Sequence, residues 1–238
     1  MTTQPDYKLW YDLMLIAYGS ELILPQNRAP LLPPGAVELG YYQGPHDARC
    51  WVGTLNGDRV LAFQGTQPAE LESDLANLDT SPIPLPHSFG ELVVAGYWNQ
   101  LQDLLPLLAG QAPFKYIIGH SMGGGIATQY RRVYAVGDPI LITFGAVKSG
   151  NSVFYTSPSL INSVRIVNYK DPAPDWPLAW EGILIPMQWL NNGTVSLLTP
   201  LHPTFPVQRP VICFPWDLLK YHLPGQYIGS LGALPGAI

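Results

Sequence analysis

Residues 117–125 read IIGHSMGGG: an apolar run ends in a single serine framed by glycines. Glycine supplies 23 of the 238 residues, so a G-x-S-x-G pattern alone carries little weight, and the flanks decide its meaning. Upstream, Phe114 to Ile118 is an apolar run broken only by Lys115, without polar alternation, the pattern of a strand buried on both faces. Downstream, ATQYRRVYAV has helical spacing. A strand that turns sharply into a helix at Gly-His-Ser-Met-Gly is the context of a nucleophile elbow, where a strained turn lifts the serine hydroxyl above the sheet edge. A phosphate-cradling glycine loop would need a Lys-Ser/Thr ending, which is missing here.

Working outward, PILITFG and SVRIVNY read as further buried strands. A helical period from Val94 sets Tyr97, Leu101, Leu104, Leu105 and Leu108 on one side. DYKLWYDLMLIAY has the same spacing at Leu9, Leu13 and Ile16. CWVGTLNGDRVLAFQGT is a hairpin closed by Asn56-Gly57, and GILIPMQWL with TVSLL flank a second turn at Asn191-Asn192-Gly193. The expected fold is α/β: a mainly parallel central sheet flanked by helices, with antiparallel hairpins at the sheet ends. No internal repeat or linker divides residues 1–238, which are read as one domain. Between Thr66 and Leu92 the chain is polar and then proline-rich, and a candidate lid lies within 67–91. Within it, PAELESDLANL suits either a short amphipathic helix or a solvated loop.

Composition narrows the functional classes. Charged residues make up 12% of the chain, about half the usual share, while 47% is hydrophobic. The formal net charge of -5 argues against nucleic-acid binding, which needs clustered Lys and Arg. Arg131-Arg132, the one basic pair, reads as a solvated helix face. Cys50 and Cys213 lack metal-ligand spacing and are either a pair or two buried thiols. No apolar run is long enough to span a bilayer. No signal peptide is read, because Asp6 and Asp12 interrupt the N-terminal apolar stretch. The expectation is a chain acting inside the cell or one whose leader has been removed, and secretion stays open.

A serine nucleophile needs a base, and the base an orienting acid. Beyond Ser121 the histidines are His202 and His222. Asp171 and Asp175 follow the strand read to Tyr169, where a triad acid belongs, whereas Asp138 sits at a strand entry on the opposite edge. His202 is boxed by Pro200 and Pro203, and His222 lies in a late segment able to return to the elbow. From the residues alone, Asp171, two residues past the strand and followed by Pro172, leads, with Asp175 as the fallback, and the choice of histidine stays open.

Several motifs together resemble the fungal-type triacylglycerol lipases, the class 3 lipases of the α/β-hydrolase superfamily. VLAFQGT is similar to the family's F-R-G-T/S segment, DLANL to D-W-x-x-N-L, and VVAGY to V-H-x-G-F. ITFGAVKSGNSVF resembles T-F-G-x-P-R-V-G-N-x-x-F, RIVNYKDPAPDWP resembles R-V-V-N-x-x-D-P-V-P-x-L-P, and HLPGQY resembles H-S-x-x-x-Y. They run in family order over roughly residues 50 to 227. The resemblance implies Ser121 as nucleophile, Asp171 as acid and His222 as base, with backbone N–H groups of Thr66 and Met122 as the oxyanion hole. It implies hydrolysis of carboxylic esters of lipids, without metal or organic cofactor, and transient contact with a lipid interface. An esterase of short-chain or polymeric substrates, a phospholipase, an acyltransferase or a non-catalytic binding module are the alternatives. Gln64 stands where the family carries Arg, Val94 where it carries His, and Val147-Lys148 where it carries Pro-Arg.

Overall fold

The structure, a computed structural model, describes residues 6–67, 78–111, 113–160, 162–168, 171–176, 187–191, 194–198 and 220–238. The chain opens with helix α1 (Tyr7–Ser20), whose first turn is capped by the Asp6 carboxylate accepting from Leu9 N–H at 2.9 Å. Three strands follow: β1 (Ala36–Gln43), β2 (Arg49–Leu55) and β3 (Asp58–Phe63), paired antiparallel. The β2–β3 turn holds Asn56 and Gly57 at φ of 51° and 87°, the left-handed pair that an Asn-Gly turn supplies. A small ladder, β4 (Pro82–Pro84) with β5 (Leu92–Val94), leads into helix α2 (Ala95–Leu108).

The chain then alternates. Strand β6 (Tyr116–His120) enters helix α3 (Ser121–Val133), and β7 (Ile140–Phe144) and β8 (Ser163–Asn168) extend the sheet. Strands β9 (Met187–Asn191) and β10 (Thr194–Leu198) form the far hairpin, and helix α4 (Pro224–Gly232) closes the chain. The eight-stranded order is β1-β2-β3-β6-β7-β8-β9-β10, parallel from β3 through β9 and antiparallel at both ends. This is the fold class expected from the pattern. The turn at Asn192-Gly193, Tyr169, Cys213 and His202 lie outside the described residues, as do residues 68–77 of the lid candidate.

The sheet has a core on each face. Leu61, Phe63 and Ile117 point to the side packed by α2 and α3, where Tyr97, Leu101, Leu104, Ile126 and Tyr130 meet them. Val60, Ala62 and Ile118 point to the other side, against Leu13, Ile16 and Ala17 of α1 and Tyr227 and Leu231 of α4. Alternation along a central strand thus feeds two cores, which is why the strand sequence shows no polar period.

Some elements differ from expectation. Strand β6 runs on to His120 and includes Gly119, so Ser121 is the first helical residue and Gly123, Gly124 and Gly125 belong to the helix, not to a loop before it. Strand β1, an edge with its side chains mostly half-exposed or exposed, carries no clear period and went unread. Helix α4 is short and glycine-containing, and it gave no helical pattern either.

The glycines of the elbow are set by close backbone approach. A Cβ on Gly119 would stand 2.3 Å from the Gly123 carbonyl oxygen, and one on Gly123 would stand 2.2 Å from that of Phe63. Gly119→Ala is expected to destabilise the protein by about 1–3 kcal/mol through overpacking. Urea unfolding curves of the two proteins check this, and an unchanged midpoint would show that the turn has slack.

Candidate active site

The site assembles at the C-terminal ends of the parallel strands. Ser121 takes φ of 56°, a left-handed conformation rare for serine, directly between β6 and α3. The first-turn N–H groups of α3 have no intrahelical acceptors, and Met122 contributes one of them. From the neighbouring strand β3 the chain runs through Gln64 and Gly65 to Thr66. A Cβ on Gly65 would lie 2.6 Å from the His120 carbonyl oxygen and 3.3 Å from Ser121 Cβ, so the two segments abut. The Thr66 hydroxyl is 3.9 Å from Met122 Sδ. The two residues expected to donate to an oxyanion therefore border one spot beside Ser121.

Asp171 follows β8 in a tight turn, with its N–H donating to Asn168 O at 2.9 Å. One carboxylate oxygen accepts from Ala173 N–H at 2.8 Å, and the other meets His222 Nδ1 at 2.7 Å. The Tyr227 hydroxyl donates to that same oxygen and accepts from Asn168 N–H at 3.0 Å. Arg165, wholly buried on β8, donates to the Ala146 and Pro174 carbonyls and so ties the turn after β7 to the acid's turn. Gly145, at φ of 53°, leaves room for the group: a Cβ there would be 2.7 Å from Asp171 Oδ2 and 3.0 Å from His222 Cε1.

Ser121 and His222 are both 0% exposed. Ser121 Oγ and His222 Nε2 make no hydrogen bond among the described residues. Asp175, the other acid candidate, sits one turn on and is exposed. Asp138 pairs with Arg131 at 2.5 Å at the entry to β7. His202 lies outside the described residues.

Two neighbours of the site gave no warning in the sequence. Glu21, just past the end of α1, is fully buried and meets His120 Nδ1 at 2.7 Å. His120 Nε2 meets the His222 carbonyl oxygen at 2.8 Å, and the two imidazoles stack with centroids 4.7 Å apart. A carbonyl can only accept, so Nε2 of His120 carries a proton, and Nδ1 shares the second with Glu21. Burial raises the Glu21 carboxyl above its ordinary range, partly offset by His120. Burial pulls the His120 imidazole down, but the Glu21 carboxylate and its hydrogen bonds outweigh this and leave it raised. Neither residue has a periodic signature; only the long-range packing of α1 against β6 brings them together.

Gln64, in the place where the family pattern has Arg, has a guanidinium nearby all the same. Arg49 of β2 reaches its Oε1 at 3.5 Å, beside the Tyr41 hydroxyl at 3.3 Å.

Residues 60–180 match the model of the family described as lipase (class 3). The chain belongs to the class 3 lipase family. Among solved structures, it resembles a triacylglycerol lipase described as having a serine-protease triad at its catalytic centre. There the TM-score is 0.69 and the identity 20%, over 90% of this chain and 92% of that one. The Rhizomucor miehei triacylglyceride lipase gives a TM-score of 0.68 and 21% identity, over 84% and 86%. Lipase II from Rhizopus niveus gives 0.63 and 19%, over 79% and 81%. No curated protein matches the sequence significantly. At these identities the solved structures speak for the fold that class 3 lipases share.

Glu21 and His120 both hold protons more tightly folded than their ordinary values of 4.5 and 6.5 imply. The folded state therefore binds more protons than the unfolded one, and stability falls as pH rises above 4.5 and again above 6.5. Thermal unfolding from acid to mildly alkaline pH should show this decline in the wild type and a flatter profile in Glu21→Gln/His120→Gln. Parallel profiles would mean that the pair carries no linked proton.

Proposed function

We propose that the protein is a serine carboxylic-ester hydrolase acting on lipid esters, with Ser121 as nucleophile, His222 as general base and Asp171 as the acid that orients it. The observation that supports this most is the buried 2.7 Å contact between Asp171 and His222 Nδ1, which leaves Nε2 free of hydrogen bonds among the described residues. With Nδ1–H donating to the carboxylate, Nε2 bears the lone pair a general base uses.

In this reading His222 takes the Ser121 proton as Oγ attacks the ester carbonyl. Developing charge on the carbonyl oxygen falls to the Thr66 and Met122 N–H groups, helped by the positive end of α3. The protonated base then gives its proton to the leaving alcohol, and water releases the acyl group by the same route. Desolvation makes each of these electrostatic terms larger than it is in water. Full burial of Ser121 and His222 also means that an ester reaches Oγ only after covering chain moves. The lid candidate within 67–91 is the segment the sequence offers for that movement. No helix among the described residues is long and apolar enough to cross a membrane, so contact with a lipid aggregate is a surface event.

Family membership favours a lipase over the alternatives of short-chain esterase, phospholipase, acyltransferase or binding module. Ser121→Ala is expected to lower kcat by about 10⁶-fold and to abolish labelling by a serine-reactive phosphonate. Asp171→Asn should lower kcat by about 10⁴-fold, because it favours the wrong imidazole tautomer. Unchanged turnover in Ser121→Ala, with folded protein, would refute the assignment. Faster turnover of soluble short esters than of emulsified glycerides would replace lipase with esterase.

A further inference from the structure

A cleft of about 900 Å³ opens against the side of the site formed by Thr66 and Met122. Its size is within the range of small-molecule sites, about 300–1,000 Å³. Its described lining is mixed rather than wholly apolar. Among the described lining residues only Ile23, Leu78 and Met122 bring apolar side chains. Arg49, Gln67, Asp79, Asn99, Gln100 and Asp103 bring polar side chains, as do Asp47 and Gln102.

We propose that this cleft receives an uncharged, hydroxyl-rich head group, such as a sugar, joined through the ester that reacts at Ser121. The proposal rests on the ester-hydrolase reading and names its substrate class. Three alternatives are separated by the wall chemistry. An acyl chain laid here forfeits about 0.8 kcal/mol for each methylene that fails to find apolar surface, and it also strips water from amides and carboxylates it cannot bond. A phosphate meets three carboxylates, Asp47, Asp79 and Asp103, against one guanidinium. That guanidinium, Arg49, is already paired with Asp47 at 2.8 Å. The Ser81 hydroxyl and N–H hold the Asp79 carboxyl below its ordinary value, so it stays ionised at neutral pH and repels an anion.

A sugar fits all of these terms. Each hydroxyl both donates and accepts, so it serves carboxylates, which only accept, and amides, which do both. Arg49 Nε is buried and makes no hydrogen bond among the described residues, leaving a donor for an oxygen acceptor. Position links the cleft to the chemistry. Thr66 and Met122 are at once its wall and the residues proposed to hold the oxyanion, so an occupant is attached within a few bonds of the reacting carbonyl. Gln100 Nε2 lies 3.7 Å from Met122 Sδ and extends the polar surface up to that wall.

The test compares kcat/KM for hexanoyl glucose, hexanoylglycerol and hexanoyl glycerophosphocholine, with p-nitrophenyl butyrate as a probe that has no polar head. Hexanoyl glucose is expected to be preferred over hexanoylglycerol by about tenfold, as two added hydrogen bonds imply. Asn99→Leu and Asp103→Leu should each lower the glucose ester by about fivefold and leave p-nitrophenyl butyrate unchanged. Preference for the glycerol or phosphocholine ester, or equal losses on every substrate, overturns the proposal while the hydrolase reading stands. If neither p-nitrophenyl butyrate nor any of the three hexanoyl esters, offered in solution and as an emulsion, is hydrolysed, the hydrolase reading fails. Calorimetric binding of hexanoyl glucose to Ser121→Ala and to Ser121→Ala/Asn99→Leu then decides the cleft separately. Binding weakened by the second substitution supports it, and binding that is absent or unchanged overturns it.

Discussion

Ser121 sits at φ of 56°, and a serine holds that conformation only where its surroundings leave no alternative. The cost is about 1–3 kcal/mol, and the offset is packing. Strand β6 is buried along its whole length between β3 and β7, so the chain reaches residue 120 with its direction fixed. Helix α3 is held equally firmly, because Gly123 rests on the backbone of Phe63 and Gln64 and Gly124 rests on Ala146. Between two immovable elements only one sharp turn fits. The strain is thus a consequence of close packing on both sides, and the turn holds the hydroxyl at the C-terminal end of β6, buried beside Thr66 and Met122.

The same rigidity governs the charged groups, which come from distant parts of the chain. Glu21 arrives with α1, Asp171 with β8, and His222 just before α4. Placing two carboxylates and two imidazoles out of water is unfavourable unless each is paired. The pairs are complementary: Asp171 with His222 Nδ1, Glu21 with His120 Nδ1, and His120 Nε2 on the His222 carbonyl. Tyr227 closes the arrangement by linking Asp171 to the backbone of Asn168, so α4 is tied to the end of β8 by the same oxygen that orients the histidine. The His120–Glu21 pair carries its charge as one shared proton. It also fixes the main chain of His222, whose ring is proposed to accept a proton.

How much of this was legible follows from where the information lies. The elbow could be read because its constraints are local: an apolar strand, glycines at fixed offsets and a helix at once afterwards. The Asn56-Gly57 hairpin was legible for the same reason, since a two-residue turn needs left-handed residues at both positions. A place two residues past the strand favours Asp171 over Asp175, and the fold adds what local pattern does not carry. In the fold Asp171 is buried against Gly145 and His222, whereas Asp175 ends a one-turn helix facing solvent. Glu21 was invisible because nothing in a helix-terminal glutamate announces that a strand a hundred residues later will bury it. Strand β1 was missed for a different reason: its residues face solvent in part, so neither alternation nor a continuous apolar run develops.

Low overall charge and a polar cleft are compatible once the two faces of the site are separated. On one side Ser121, His222 and Asp171 are withdrawn from solvent, and burial strengthens each interaction among them. On the other side Thr66 and Met122 form a wall shared with an open, amide-rich hollow. Amides supply hydrogen bonds without the desolvation cost of full charges, so a chain with few Lys, Arg, Asp and Glu can still make a specific polar surface. A substrate entering by the hollow meets the proposed oxyanion donors before it meets the covered serine. On the proposed reading, binding energy gained at the head group is available to the step at Ser121, which couples recognition of the alcohol to the chemistry.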